Sequence, residues 1–115
     1  MNVSIPTASG ATNMELTLIG QRDGADQGDP QVSAQVIFRE GPIHVGVWEC
    51  KPGGWPIVDR GDTETATIVS GSGTITDADG TEHALVAGSV VTLPKGWSGR
   101  WDITETLRKV YVIVG

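Results

Sequence analysis

Along most of this chain, hydrophobic and polar positions alternate with a period of two, and a 3.6-residue period is almost absent. Short runs rich in Val, Ile and Thr are bounded by Gly, Pro and Asp. Branched side chains fit a pleated, half-buried surface. The pattern predicts strands over Glu15–Ile19, Ser33–Phe38, His44–Glu49, Thr65–Ser70, Gly73–Thr76, Glu82–Val86, Val90–Leu93, Gly99–Ile103 and Arg108–Val114. Between the last two, Thr104–Leu107 reads as a brief connection. Many short strands with turns between them, at roughly 8–12-residue spacing, predict a β-sandwich or barrel.

The breaks in the pattern carry their own mechanism. Asp77-Ala78-Asp79-Gly80 separates two alternating runs, and Gly80 can take the positive-φ position of a hairpin loop. Gly71 and Gly88 are read as sharp hairpin turns. Pro94 lacks the N–H that a central strand needs, so the chain turns over Pro94-Lys95-Gly96. Arg22–Gln31 is polar throughout and is expected to be an exposed loop. One domain is expected over residues 14–115, preceded by a flexible arm over 1–13.

Composition narrows the partners. Eight Lys and Arg stand against fourteen Asp and Glu, a formal net charge of −6. A nucleic-acid surface needs clustered cations, and an anionic membrane would repel this chain. No run approaches the roughly 20 apolar residues of a membrane span. Met1–Asn13 holds no basic residue and no apolar run of leader length. A lone cysteine, Cys50, excludes an internal disulfide and fits a reducing compartment, so a cytoplasmic location is expected. Cys50 has only Lys51 as a basic neighbour in sequence and reads as an inert thiol. Asp23, Asp26 and Asp29 recur every third residue, which is wrong for a calcium loop. Gly71-Ser72-Gly73 lies between strands and lacks the following helix of a phosphate cradle.

Several motifs recur in a known order. Gly46–Gly53 leads to Thr63–Gly71, with six residues between Glu64 and Gly71. Ala87–Trp97 follows, with Gly88, Pro94 and Gly96 in fixed spacing. The chain closes with Gly99-Arg100-Trp101-Asp102 and Arg108-Lys109-Val110-Tyr111. From about Gly41 onward this resembles the cupin superfamily. More narrowly it resembles the small single-domain cupins grouped with the cupin domain of ureidoglycine aminohydrolase. The resemblance implies an all-β, single-domain (RmlC-like) jelly-roll β-barrel and a homodimer.

The resemblance also implies a metal held by three His and one Glu. The first two His positions fall at Ile57 and Asp59, or at Val58 and Arg60, and the third at Gly99. None is His. Glu64 is the only expected ligand present, and Asp59 adds a second oxygen at most. One or two carboxylates do not hold a transition metal tightly, so no metal and no cofactor is expected. The two histidines, His44 and His83, lie elsewhere and read as ordinary strand residues, with a general-base role as the alternative.

Alternation then places the side chains that remain. If Glu64 faces the barrel interior, so do Ala66 and Ile68; if position 99 does, so do Trp101 and Ile103. Lys109, Tyr111 and Ile113 share one face of the last strand, and by resemblance it is the inner one. The expected site is an apolar cup walled by Trp48, Trp101 and Tyr111, with Glu64 and Lys109 as its charged pair. Trp55 and Trp97, both read as loop residues, form its rim, and Arg60 joins the ligand-binding residues.

The favoured function is binding of a small polar or carboxylated organic molecule. Glu64, Lys109 and Tyr111 are the candidate groups for acid/base isomerase or hydrolase chemistry. Alternatives are a non-catalytic sensory or binding domain, an assembly domain, and a metal-dependent ureidoglycine aminohydrolase-like enzyme. The Trp residues can equally be core plugs, and Glu64–Lys109 a structural ion pair.

Overall fold

A computed structural model describes residues 2–5 and 10–115. The expectation of a flexible arm falls partly on residues 1 and 6–9, outside the described residues. Gly10–Asn13 forms a short helix, α1, and nine strands follow: β1 Thr17–Gln21, β2 Gln27–Gly28, β3 Gln31–Glu40, β4 Ile43–Cys50, β5 Gly53–Ile57, β6 Thr63–Asp77, β7 Glu82–Leu85, β8 Val90–Leu93 and β9 Gly99–Val114. All pairings are antiparallel. One path runs β1-β3-β4-β9-β5-β2, and β6 joins β9 to β7 and β8. The sheet curls into the expected jelly-roll barrel around a core that includes Cys50, Trp55, Ile68, Trp101, Ile103 and Leu107. Among the described residues no helix is long and apolar enough to cross a membrane.

Three sequence readings need correction. The two strands expected over Thr65–Thr76 are one, β6, and the two expected over Gly99–Val114 are one, β9. They pair along their whole length, from Thr63↔Val114 to Asp77↔Gly99. What looked like a turn at Gly71 is a bulge inside β6. Gly71 has φ +86°, and its backbone packs directly on the Thr106 carbonyl of β9, which leaves no space for a Cβ. The register is irregular from Ile68 to Gly73, and the phase of β6 changes across that stretch: Glu64, Ala66 and Ile68 are buried before it, Gly73 and Ile75 after it. Thr104–Leu107, read as a connection, continues β9 without a phase change.

The third correction concerns residues 22–31. This segment is mostly exposed, but it contains β2, which pairs with β5 through Gln27↔Gly54 and Gly28↔Gly53. Arg100 of β9 holds it with two hydrogen bonds to the Asp26 carboxylate, at 2.7 and 2.8 Å. It is therefore a pinned strap across one end of the barrel. β5 itself was missed, because Gly53, Gly54 and Pro56 read as a break.

At the N-terminus, α1 and Met14 are tied to the sheet. Arg108 donates to the carbonyls of Ala11 and Met14 at 2.8 and 2.9 Å and pairs with Glu49.

Two expectations follow. Gly71→Ala forces an L side chain into a left-handed conformation against the Thr106 carbonyl and should cost more than about 2 kcal/mol in a urea melt. Cys50 is fully buried, and burial pushes its thiol from 9.0 up to about 11. Between those values the unfolded chain has released a proton that the fold retains, so stability should fall as pH rises from about 9. Iodoacetamide should label Cys50 at neutral pH only after denaturant unfolds the chain.

Candidate functional site

The site is assembled from cross-strand pairs along β9. Trp101 lies opposite Trp55 on β5. Lys109 lies opposite Trp48 and Tyr111 opposite Gly46, both on β4. Directly opposed side chains on one face of a sheet touch. The Trp55 and Trp101 rings accordingly stack at 5.9 Å with 8° between their planes. Trp48 meets both rings at about 6 Å and steeper angles. Gly46 leaves the space that the Tyr111 ring fills; a Cβ there would meet its hydroxyl at 2.6 Å.

Lys109 ends inside this aromatic box. Its Nζ is 4.3 Å from the centroid of Trp48, 4.7 Å from that of Trp101 and 6.0 Å from that of Tyr111. An ammonium over ring faces is attracted by their quadrupoles, more strongly once water is excluded. Lys109 and Glu64 are 5% and 3% exposed, the two buried charged residues of the described chain. Lys109 Nζ lies 2.6 Å from Glu64 Oε2. Lys109 is the cation in contact with that buried oxygen. The other oxygen, Oε1, accepts a hydrogen bond from Arg60 Nη2 at 2.8 Å. Arg60 also contacts Asp62 at 3.1 Å. Desolvation pulls the Lys109 ammonium below its usual range, Glu64 opposes that shift, and Arg60 and Arg22 add to it. Burial, and then the charge of Glu64, pushes the Tyr111 phenol up.

These groups line a cavity of about 320 Å³. Ile57 and Ile113 complete its apolar wall, and Ile19–Asp23 from β1 and the strap border it. Arg22 and Asp23 were not among the residues expected here. The Arg22 guanidinium sits 5.4 Å from the centroid of Trp55, and Arg22 makes no ion pair among the described residues. Nothing in its polar surroundings marks Arg22, because the strap is placed by a contact 74 residues away in sequence.

Two Trp placements depart from the sequence reading. Trp55 is not a loop residue at the rim: it is 1% exposed and belongs to β5. Its Nε1 is buried without a hydrogen-bond partner among the described residues. Trp97 does sit in a loop but does not line this cavity. Its Nε1 donates to Asp77 Oδ1 at 2.8 Å, and it borders a second cavity beside β7 and β8. Asp77 also accepts from His83 at 2.7 Å, and these bonds, His83 first, hold its carboxyl below the usual range. His44 sits behind the cup, 2.9 Å from the Tyr111 hydroxyl.

A metal does not fit the donor set. Both Glu64 oxygens already face cations, so an ion there would meet two positive charges. Asp59, at φ +48°, is exposed and outside the cavity lining. Among the described residues no cluster of three or more His, Cys, Asp or Glu forms.

A jelly-roll barrel with a side-chain-lined cup at this position is the architecture of a cupin. The chain belongs to the EutQ-like cupin domain family, whose sequence profile matches residues 38–111. Solved structures agree on the fold. A DUF861 family protein of unknown function from Pseudomonas syringae pv. tomato superposes with a TM-score of 0.82 at 20% identity, covering 89% of this chain and 45% of its own. This chain thus spans less than half the length of that protein. The Clostridium difficile EutQ protein matches at a TM-score of 0.64 and 22% identity, covering 74% of this chain and 63% of its own. A DUF861 family protein from Thermotoga maritima is 32% identical over 56% of this chain and 73% of its own, with a TM-score of 0.53. No curated protein matches the chain. The cupin assignment is thus shown, while the narrower kinship with ureidoglycine aminohydrolase is not.

The ion cluster predicts unequal costs for its members. Glu64→Gln leaves Lys109 buried without its anion, while Arg60 keeps Asp62, and should destabilise by about 3–5 kcal/mol. Lys109→Met leaves Glu64 paired to Arg60 and should cost clearly less. Urea melts of both variants measure the difference, and equal costs would mean that Arg60 does not hold Glu64.

Proposed function

We propose that the barrel binds a small organic anion, carboxylate-bearing and partly apolar or planar, with protein cations serving where other cupins use a metal. The carrying observation is the charge of the lining. Arg22, Arg60 and Lys109 face a cavity whose carboxylates are buried Glu64 and exposed Asp23, in a chain whose formal net charge is −6. A cation surplus in an acidic protein favours an anionic occupant, and the Trp walls supply stacking area. Arg22 is the unpaired charge and would take the anionic group.

The same residues support acid/base chemistry on such a ligand. Glu64 can accept a proton from Lys109 or a substrate, and Tyr111, held as a neutral phenol, can donate one. Binding without turnover is the rival reading, and Glu64→Gln, measured at a temperature where the variant stays folded, separates the two: an enzyme loses turnover, while a binder loses affinity. The metal-dependent ureidoglycine aminohydrolase-like reading is disfavoured by the pairing of Glu64 to two cations. Homodimerisation is part of the same proposal. Phe38, Ile43, Val112 and Val114 are exposed apolar residues on the neighbouring strands β3, β4 and β9, a surface a second copy could cover.

Native mass spectrometry of gently purified protein, read against its denatured mass, tests this in one spectrum. A dimer carrying an organic acid, lost on Arg22→Ala, is the expected result. Retention of a divalent metal would overturn the reading, and a monomer at micromolar concentration would remove its dimer part. Titration with small carboxylates should quench Trp fluorescence, and matched amines should not. Arg22→Ala should weaken the carboxylate about tenfold, the loss of one charge contact.

A further inference from the structure

The chemistry of Lys109 goes beyond holding an anion. We infer that Lys109 is an amine nucleophile and that the cavity takes a small 2-oxo acid, whose carbonyl carbon forms a Schiff base with Nζ. This rests on the reading of the cavity as an anion site.

The geometry carries it. The chain has three lysines, and two of them, Lys51 and Lys95, are exposed. Lys109 alone is enclosed, with its amine against the Trp48 and Trp101 faces and still on the cavity wall. A lysine becomes nucleophilic when an apolar pocket strips its water or when a second cation stands close by. Both conditions hold here, and burial with Arg60 and Arg22 does draw its ammonium below the usual range. Glu64 would by itself keep the amine protonated. Arg60 weakens that hold, because its guanidinium shares the carboxylate and repels the ammonium. Glu64, in contact with Nζ, then relays the ammonium proton to the carbonyl oxygen. Arg22 is free to receive the carboxylate next to the carbonyl, and about 320 Å³ accommodates an acid of a few carbons.

The step balances without an oxidant or a metal. Lys109 gives one proton to Glu64, and the Nζ lone pair forms a bond to the carbonyl carbon. The C=O π pair moves to oxygen, which is protonated to a carbinolamine. The adduct nitrogen gives Glu64 a second proton, the oxygen takes it and leaves as water as the C–O bond breaks, and the protonated C=N bond remains. Glu64, 2.6 Å from Nζ, is placed to carry both protons.

Reductive trapping of the full chain tests this. Pyruvate and cyanoborohydride at neutral pH convert a Schiff base to a stable secondary amine, located by intact mass and peptide mapping. Lys51, Lys95 and the terminal amine are internal controls. The expected result is labelling of Lys109 at least tenfold above each control, suppressed by excess lactate, which carries the carboxylate but no carbonyl. Arg60→Gln should reduce that labelling, since Glu64 then holds the ammonium more tightly. Should lactate bind while Lys109 stays unlabelled, the Schiff base is overturned and the anion site stands. Should neither lactate nor pyruvate bind, both readings fall. Labelling confined to the control amines also overturns the inference.

Discussion

β9 runs from Gly99 to Val114 with Trp101, Ile103, Leu107, Lys109 and Tyr111 facing inward, and the rest of the barrel is arranged against that one strand. Its first half lies between β5 and the second half of β6, and its second half between β4 and the first half of β6. Trp101, Lys109 and Tyr111 therefore point into one space, although eight residues separate the first from the second. β6 follows it through an irregular stretch between Ile68 and Gly73 that needs a positive φ. The bulge at Gly71 supplies it, on the only residue type with room beside the Thr106 carbonyl. Gly71 thus lets the two long strands stay paired on both sides of that stretch, while Glu64 and Lys109 share the inner face through the regular register of Thr63–Ile68 with Lys109–Val114.

Burying a carboxylate and an ammonium costs several kcal/mol each unless the partners compensate. Here compensation is shared: Glu64 has a cation at each oxygen, and Lys109 has aromatic faces as well as a carboxylate. An apolar core of the same volume would be no less stable. The strap adds Arg22 at the border, so the cavity has a deep cationic pole and an outer one with Trp55 beside it.

Much of this was legible in the residues. Period-two alternation grouped Glu64 with Ala66 and Ile68, and Trp101 with Ile103, the resemblance turned Lys109 and Tyr111 inward, and every one of them is buried. Elsewhere the signal was ambiguous or absent. Gly71 between two alternating runs looks the same whether the chain reverses or bulges, because either needs a positive φ. β5 was hidden by Gly53, Gly54 and Pro56. Beyond Gly54 it has β9 on one side and no strand on the other, and there a missing N–H donor is tolerated. Trp97 was misplaced because a loop tryptophan carries no periodic signal, and its position is decided by Asp77.

The sequence by itself determined the β class, the strand faces, the absence of a histidine ligand set and the identity of the inward-facing charges. These are local properties: alternation follows from backbone geometry within a strand, and a missing imidazole is missing in any fold. Only the tertiary structure decided which charges meet. In backbone register Glu64 lies opposite Ile113, and Lys109 opposite Ile68, so their contact is a diagonal made by long side chains in a curled sheet. Arg60 comes to the same carboxylate from a loop, and Arg22 from a strap anchored through Asp26 and Arg100. Such contacts depend on barrel closure, which sets distances between residues far apart in the chain and leaves no periodic trace in it.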